Sequence, residues 1–257
     1  MKVLDLFCGG GGASEGMKRA GADEIWGVDI GFQHHYPFWF IQADVFNLSL
    51  KFIRQFDFVW ASPPCQAYSY AAARWRNSGK TWPDLIARTR GLLIDAAVPF
   101  CIENVPGAPI RKDLLLCGQM FELHVIRHRY FELFGFSCYQ PVHRNHRGMV
   151  MRHFYVTVAG TGGNYPGHNF DKLRCLEGAT QLETWRYAMG IDRMDKKCLR
   201  EAVPPAYAEF IFGEFMRNNY WGMRSVNRQK FHEVMNQLGA YERRENEFKE
   251  SSVPGRG

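Results

Sequence analysis

A cysteine and a glutamate occupy matching positions in the chain, each where an apolar run ends. Cys65 follows the run 56–61 within the sequence Ser62-Pro63-Pro64-Cys65-Gln66, and Glu103 ends a second apolar run. A cysteine thiolate is a nucleophile, and burial raises the pKa of a carboxyl group, which suits it to proton donation. The pair therefore predicts cysteine attack on a heterocycle, assisted by an acid.

A glycine-rich turn near the start of the chain predicts a nucleotide-type cofactor site. The segment Asp5-Leu6-Phe7-Cys8-Gly9-Gly10-Gly11-Gly12 follows a predicted strand and precedes a predicted helix. Glycines let the backbone turn tightly and approach a ligand closely. Asp29, at the end of the next predicted strand, is placed to accept hydrogen bonds from ribose hydroxyls. A tight turn without a ligand is the alternative, whereas a P-loop is disfavoured because no Gly-Lys-Ser/Thr follows.

Strands that alternate with helices predict an α/β fold for residues 1–120. The predicted strands are 2–7, 24–28, one that leads to Asp44, 56–61 and 100–102, and the predicted helices are 13–20 and a helix that opens at Pro83 and ends before Pro99. This alternation is typical of a parallel sheet covered by helices on both faces. Open α/β sheets place their sites at the carboxyl ends of strands, where the cysteine loop also lies.

The second half of the chain has weaker periodicity. Residues 121–185 are rich in Gly, His, Arg and aromatic residues, which predicts a small irregular subdomain with one strand at 155–159. Helices are predicted at 184–189 and 204–218, and a polar helix at 227–244. The segment 245–257 is expected to be disordered.

Composition and charge are those of an ordinary globular protein. The chain has 257 residues, of which 46% are apolar and 23% charged, and its formal charge is +6. This balance fits one domain, or one domain with a small appendage, and permits a polyanionic partner. Seven cysteines without a CxxC pair argue against a disulfide framework and for a reducing compartment. No signal peptide or apolar run long enough to span a bilayer is recognisable, so a cytoplasmic protein without a membrane partner is expected.

One loop combines Cys138, His143 and His146, which are residue types that bind zinc. A structural zinc site needs four ligands, and no fourth candidate stands at a convincing spacing. A plain polar loop without a metal is therefore the expectation.

The segment 127–153 mixes basic and aromatic residues and predicts nucleic-acid contacts. Its members are Arg127, Arg129, Arg144, Arg147, Arg152, His128, His143, His146 and His153, interleaved with Tyr130, Phe131, Phe134, Phe136 and Tyr139. Arginines neutralise phosphates and aromatic rings stack on bases. A solvated basic loop over a small aromatic core is the alternative. The glycine-rich loop 160–165 is a further candidate contact, or a plain flexible turn.

Five short motifs in a fixed order resemble the cytosine-5 DNA methyltransferase family, whose members use S-adenosylmethionine. They are the segment 5–12, Pro64-Cys65-Gln66, Glu103-Asn104-Val105, Arg127-His128-Arg129 and Ala202-Val203-Pro204-Pro205. The resemblance extends over about residues 1–215. It implies a Rossmann-like methyltransferase sheet with helices on both faces and a small irregular target-recognition subdomain.

The resemblance implies a catalytic role for four residues. Cys65 attacks carbon 6 of a cytosine, which must leave the duplex to be reached. Glu103 holds or protonates ring nitrogen 3. Arg129 contacts the 2-oxygen of the base, and Arg127 contacts the same region or a phosphate. The basic stretch 74–80 after Cys65 corresponds to a loop that closes over the flipped base.

The resemblance also implies a cofactor site for S-adenosylmethionine. Its residues are Phe7, Gly9, Gly11, Asp29, Ile30, Asp44, Val45, Pro64, Ala202 and Val203. In this site Asp29 holds the ribose and Asp44 meets the adenine. The implied division of the chain is a catalytic and cofactor-binding domain at 1–125, a target-recognition region at 126–185, a return to the catalytic domain at 186–222, and a C-terminal polar helix with a disordered tail at 223–257.

Two departures from the family pattern leave alternatives open. Val125 stands where the arginine motif usually begins with glutamine, and Glu201 precedes the last motif. Double-stranded DNA is the implied partner, in a bacterial or phage context. A tRNA-directed branch also carries Pro-Pro-Cys-Gln, but its usual Cys-Phe-Thr element is missing here. A non-catalytic DNA-binding relative is a further alternative, and a monomeric state and a restriction nuclease partner stay open.

Overall fold

The computed structural model describes residues 1–146, 154–159 and 173–222, in which seven strands form a sheet. The strands are β1 (Lys2–Leu6), β2 (Glu24–Asp29), β3 (Trp39–Gln42), β4 (Phe58–Ala61), β5 (Phe100–Asn104), β6 (Leu114–Leu116) and β7 (Arg129–Phe134). The helices are α1 (Gly12–Arg19), α2 (Leu50–Ile53), α3 (Ala73–Asn77), α4 (Ile86–Ala96), α5 (Gln181–Met189), α6 (Lys196–Glu201) and α7 (Pro205–Gly222). Short 3-10 helices span Val45–Asn47, Tyr70–Ala72 and Gly118–Phe121.

The strand order is β3-β2-β1-β4-β5-β7-β6, and β1 to β5 are all parallel. The chain proceeds outward from β1 through β2 and β3, and then returns to start β4 on the other side of β1. A crevice forms at the carboxyl edge where this direction switches, above β1 and β4. The predicted α/β sheet is confirmed, and its topology places the turn after β1 next to the loop after β4.

The sheet also contains a hairpin-like pair of strands that the sequence analysis missed. β7 pairs antiparallel with both β5 and β6. It lies inside the region 121–185 predicted to be irregular, so the sheet includes part of that region. The aromatic residues interpreted as base-stacking groups include members of this strand, and Phe131 is fully buried. That part of the aromatic pattern therefore reflects the core.

Each face of the sheet carries its own hydrophobic core. Side chains alternate along β1, with Val3 in the first core and Leu4 and Leu6 in the second. The first core is covered by α1 and α7, which pack closely against each other. Their close approach requires glycine at position 16, since a Cβ there would lie only 2.0 Å from the Pro205 carbonyl oxygen. The second core is covered largely by α4. A third cluster joins α5 and α6 to residues 156–158 and 173.

Two predicted elements differ from the structure. The helix predicted to open at Pro83 begins at Ile86, because the Asp84 carboxylate accepts a hydrogen bond from the Ile86 amide and so caps this end. The strand predicted at 155–159 is reduced to a single parallel bridge between Val125 and Val156. The helix predicted at 227–244 and the tail at 245–257 lie outside the described residues. Within the described ranges, none of the helices has both the length and the apolarity needed to cross a bilayer.

Candidate active site

Cys65 lies in a loop that is tied down on several sides. The Ser62 amide donates to the Leu6 carbonyl at 3.1 Å, which continues the pairing of β4 with β1 beyond the strand end. The amides of Tyr68 and Ser69 both donate to the Cys65 carbonyl, at 2.9 and 2.8 Å. Two prolines precede the cysteine and restrict the backbone further. The half-buried Cys65 thiol is therefore held at a defined position beside the crevice.

Asn104 links the cysteine loop to the end of β5. Its buried side-chain amide donates to the Pro63 carbonyl at 2.9 Å, and its side-chain oxygen accepts from the Val105 amide at 2.9 Å. Asn104 thereby joins the segment before Cys65 to the strand that carries Glu103. The sequence analysis quoted this asparagine as part of a motif but gave it no role.

Glu103 and Arg129 form a largely buried ion pair. The Arg129 Nε atom lies 2.7 Å from Glu103 Oε1, and the two side chains are 14% and 8% exposed. In the β5–β7 register Glu103 stands opposite Phe131, two residues from Arg129. The side-chain alternation of a strand therefore puts Arg129 on the same face as Glu103 and diagonal to it. The structure thus brings together an acid and an arginine that are distant in sequence.

The electrostatic surroundings of Cys65 include this ion pair. Burial raises the pKa of the Cys65 thiol, the positive charge of Arg129 opposes this rise, and the Glu103 carboxylate adds to it. Arg127 acts in the same direction as Arg129 but less strongly. The thiolate needed for nucleophilic attack therefore depends on Arg129 more than on any other neighbouring cation.

The turn after β1 has the backbone geometry of a ligand cradle. Phe7, Gly9 and Gly11 all have positive φ angles, of 58°, 48° and 83°. Asp29 secures the turn from β2, because its Oδ2 accepts from the Gly9 amide and its Oδ1 from the Gly31 amide, each at 3.0 Å. A Cβ added at Gly9 would meet nothing within 4 Å, so open space lies above this glycine. Positive φ at the non-glycine Phe7 is a strained conformation of the kind that accompanies functional sites.

The remaining predicted cofactor residues lie around the same edge of the sheet. Ile30 follows β2 and is 73% exposed, an unusual environment for a large apolar side chain. Asp44 caps the 3-10 helix Val45–Asn47 through a 2.9 Å hydrogen bond from the Phe46 amide, and the Phe46 ring packs edge-on against Phe7. These residues combine an open apolar surface with carboxylate acceptors, which suits the flat base and the hydrogen-bond donors of an adenosine group.

Ala202 and Val203 lie against the glycine turn from the other side. A Cβ at Gly12, the first residue of α1, would come within 2.2 Å of the Val203 carbonyl oxygen. Both Ala202 and Val203 are buried, at 8% and 5% exposure. The motif between α6 and α7 therefore supports the start of α1 through its backbone, and contact between a ligand and these two side chains stays a prediction.

Arg127 is positioned differently from Arg129. It is buried, and its two terminal nitrogens donate to the carbonyls of Val158 and Arg200, at 2.8 and 2.6 Å. Its own carbonyl accepts a 2.7 Å hydrogen bond from the Tyr207 hydroxyl. Burial and, to a smaller extent, the nearby positive charge of Arg129 together lower the pKa of Arg127 to about 9. Arg127 thus joins separate segments of the chain, and a direct contact with a base or phosphate stays a prediction.

The departure at Val125 has a packing explanation. Val125 is 1% exposed and lies in the third hydrophobic cluster. Its carbonyl oxygen lies so close to Gly118 that a Cβ there would approach within 2.1 Å. An apolar residue therefore fills this position. Of the proposed nucleic-acid contacts, Arg147, Arg152, His153 and the loop 160–165 lie outside the described residues.

Comparison with known proteins supports the fold and the family resemblance. Residues 1–117 match the model of the family described as C-5 cytosine-specific DNA methylase. No curated protein matches the chain. Solved structures share the fold, with identities too low to show more than that. The chain is similar to a protein described as a DNA modification methyltransferase encoded within an E. coli prophage, at 15% identity and a TM-score of 0.53, covering 84% of this chain and 99% of that one.

Two further solved structures show the same likeness. A DNMT2 mutant from Spodoptera frugiperda is 16% identical, with a TM-score of 0.52 and coverage of 85% of this chain and 99% of that one. The Dnmt2 methyltransferase of S. pombe is 13% identical, with a TM-score of 0.54 and coverage of 84% and 98%. The predicted family resemblance is confirmed for residues 1–117, which include the glycine turn, Cys65 and Glu103. Over these residues the chain is similar to the C-5 cytosine-specific DNA methylase family.

Proposed function

We propose that this protein transfers a methyl group from S-adenosylmethionine to carbon 5 of a cytosine in double-stranded DNA. The observation that supports this most directly is the placement of Cys65 beside the Glu103–Arg129 ion pair, at the edge of the sheet that also carries the glycine turn. This arrangement unites a nucleophile, an acid and a cofactor cradle.

The cofactor site in this proposal is the edge formed by the glycine turn and the ends of β2 and β3. The carboxylate of Asp29 holds the ribose, and each of its oxygens has a second lone pair beyond the one that accepts a backbone amide. Ile30 and Phe7 cover the adenine, and Asp44 and Val45 border it. S-adenosylmethionine supplies an electrophilic methyl group. The remaining predicted contacts, which are Gly9, Gly11, Pro64, Ala202 and Val203, line the same crevice.

The side chains of the chain itself prepare the cytosine for this methyl group. The Cys65 thiolate forms a bond to ring carbon 6, and the electron pair of the carbon 5–carbon 6 double bond becomes available at carbon 5. Glu103 holds a proton at ring nitrogen 3, which stabilises the charge that enters the ring, and Arg129 meets the 2-oxygen. After methyl transfer, loss of the carbon 5 proton and of the Cys65 sulfur restores the aromatic ring. Such chemistry requires the base to be flipped out of the duplex.

DNA is favoured over tRNA as the substrate by two observations. The matching family model describes DNA methylases. The Cys-Phe-Thr element of the tRNA-directed branch is missing from the sequence. The net charge of +6 suits either nucleic acid and does not discriminate between them. Within this proposal, the part of the region 126–185 beyond β7 reads the target sequence.

The test is covalent trapping combined with a substrate comparison. Duplex DNA that carries 5-fluorocytosine blocks the last step, because fluorine cannot leave carbon 5 as a proton does. We expect a denaturation-resistant adduct with the wild-type protein and none with Cys65→Ser. Transfer of labelled methyl groups to duplex DNA and to tRNA is measured in parallel. Transfer to tRNA alone contradicts the DNA assignment, and the lack of any adduct despite DNA binding contradicts catalysis by Cys65.

A further inference from the structure

Four side chains that are far apart in sequence converge beside the active site. Cys117 follows β6, His128 precedes β7, and His143 and His146 lie in the loop after β7. The Nε2 atoms of the three histidines are separated by 3.2, 3.1 and 3.2 Å, and the Cys117 sulfur lies 3.7 Å from His146 Nε2. All four candidate ligand atoms lie within 4.8 Å of one another.

These separations resemble the edges of a metal-centred tetrahedron. Zinc binds imidazole nitrogen at about 2.0 Å and thiolate sulfur at about 2.3 Å, so a tetrahedral site has edges of roughly 3.4 Å between nitrogens and roughly 3.6 Å between nitrogen and sulfur. The observed distances are within a few tenths of an ångström of these values. Four of the six edges therefore have the size that one zinc ion requires, and the other two, from the Cys117 sulfur to His128 and His143, are no longer than 4.8 Å.

Hydrogen bonding among the histidines does not account for the cluster. A neutral imidazole Nε2 offers either one proton or one lone pair, directed along a single line in the plane of the ring. In a triangle, each Nε2 atom would have to form a hydrogen bond with two neighbours. One bonding direction per atom does not allow this. A cation at the centre accepts all three lone pairs at once.

We propose that Cys117, His128, His143 and His146 bind one Zn²⁺ in a closed tetrahedral site. One thiolate and three imidazoles form a ligand set typical of zinc, and four protein ligands leave no open position for a substrate or a reactive water. The site is therefore structural.

The position of the site indicates what it stabilises. Arg129 donates a 2.8 Å hydrogen bond to the carbonyl of His128, so a zinc ligand directly precedes and contacts the arginine that pairs with Glu103. The ion also joins the loop of His143 and His146 to the β6–β7 edge of the sheet. Metal binding in this geometry holds both the Arg129 backbone and the start of the proposed recognition region.

Cys138, which the sequence analysis placed with these histidines, lies elsewhere. Its partly buried side chain packs against the first hydrophobic core, where burial and, secondarily, the nearby Glu214 raise the pKa of the thiol to about 12. The other two proposed ligands, Cys117 and His128, are separated from the loop by strand β7. The pairing of β6 with β7 places Cys117 next to His128. The expectation of a plain polar loop did not take this pairing into account.

The test is the metal content of the full-length protein, purified from a zinc-supplemented culture and measured by inductively coupled plasma mass spectrometry. The ligand variants are Cys117→Ser and His143→Ala, and the latter removes an exposed side chain that has little part in the core. Matched controls are Cys175→Ser and His34→Ala, which change an exposed cysteine and an exposed histidine outside the cluster. Zinc affinity is then measured by competition with a chromophoric chelator, and the chelated protein is reloaded with Co²⁺.

We expect about one zinc per wild-type chain, and we expect each ligand variant to lose at least tenfold in affinity, at the order of magnitude known for perturbed zinc sites. The cobalt form should show the visible absorption of tetrahedral Co²⁺ and a thiolate charge-transfer band that Cys117→Ser lacks. If Cys117→Ser does not fold, the His143→Ala affinity decides. Equal zinc affinity in His143→Ala and the controls, or the absence of tetrahedral Co²⁺ in the wild type, overturns the proposal. These readouts do not depend on methyl transfer.

Discussion

Arg129 Nε lies 2.7 Å from Glu103 Oε1, and the two residues reach each other across neighbouring antiparallel strands. A second largely buried pair links helix α4 to the sheet, because Arg90 of α4 contacts Glu132 of β7 through two of its guanidinium nitrogens, Nε and Nη2, at 2.7 and 2.8 Å. The pairs have similar burial but different surroundings. Only the Glu103–Arg129 pair acts on the Cys65 thiol.

This contrast yields a prediction for the replacement of Glu103 by its isosteric amide. Glu103→Gln removes the proton donor of the proposed chemistry, so we expect kcat to fall by about 10²–10⁴-fold, which is the usual contribution of general acid catalysis. The dissociation constant for DNA should change little. Single-turnover methyl transfer and filter binding measure the two quantities.

Glu132→Gln is the matched control, since it disturbs the other largely buried ion pair that involves strand β7. We expect a loss of stability with near-normal kcat from that variant. A similar loss of kcat in both variants, in proportion to their loss of stability, would show that Glu103 serves the fold alone.

The two arginines of the Arg127-His128-Arg129 motif should respond differently to substitution. Arg127→Met keeps an apolar chain of comparable length but leaves the carbonyls of Val158 and Arg200 without their donors. We expect the free energy of unfolding to fall by about 2–5 kcal/mol, the range for breaking a buried charged hydrogen-bond network. Urea titration measures it. A fully stable Arg127→Met protein that has lost only its DNA affinity would contradict the structural role.

The sequence identified the parts of the site that depend on local pattern. The glycine turn, the Pro-Pro-Cys-Gln loop and Glu103 each stand next to a parallel strand, and parallel strands end at a common edge. The sequence did not reveal the contacts that depend on the antiparallel strands β6 and β7. β7 was hidden in a segment rich in arginine and histidine, because its polar residues are paired within the sheet instead of being solvated.

The same limitation explains the missed partners of Arg127 and Cys117. Arg127 contacts carbonyl oxygens, which every residue carries, so no residue type in the sequence marks its partners. Ten residues lie between Cys117 and His128. No local spacing rule relates these two residues to His143 and His146. Only the register of β6 with β7 defines that proximity.

The Cys65 thiol should react as a hindered thiol with a raised pKa. Burial raises this pKa above the usual value for cysteine, and Arg129 limits the rise. Because alkylation requires the thiolate, its rate should increase only on the alkaline side of the usual cysteine range. Arg129→Gln should move that midpoint to still higher pH. Iodoacetamide labelling of the Cys65 peptide, quantified by mass spectrometry across pH, measures both midpoints, and a downward shift in Arg129→Gln would refute the assignment.

Asn104 should hold the nucleophile loop in place without taking part in the chemistry. Asn104→Ala removes the hydrogen bond to the Pro63 carbonyl and leaves that group without its side-chain donor. We expect slower adduct formation with 5-fluorocytosine DNA and an unchanged dissociation constant for DNA. Ser49→Ala removes a helix cap distant from the loop and serves as a control of similar size. Unchanged adduct formation in Asn104→Ala would show that the prolines alone define the loop.

Asp5 should give the folded protein a distinct dependence on pH. This carboxyl is buried, accepts a 2.5 Å hydrogen bond from the Ser14 hydroxyl, and has one oxygen without a partner among the described residues. Burial raises its pKa from 3.8 to about 7. The folded state therefore holds a proton that the unfolded chain releases at lower pH.

The sign of the effect follows from this difference in proton binding. The stability that Asp5 contributes is present below pH 3.8 and is lost as the pH rises to about 7, with a limiting slope of about 1.4 kcal/mol per pH unit. Asp5→Asn is neutral throughout, so its free energy of unfolding should fall less steeply between these pH values. Urea titrations of wild type, Asp5→Asn and the exposed control Asp192→Asn across this interval measure the difference. Parallel curves for wild type and Asp5→Asn would contradict this prediction, because they would mean that Asp5 is ionised in the folded protein across this pH interval.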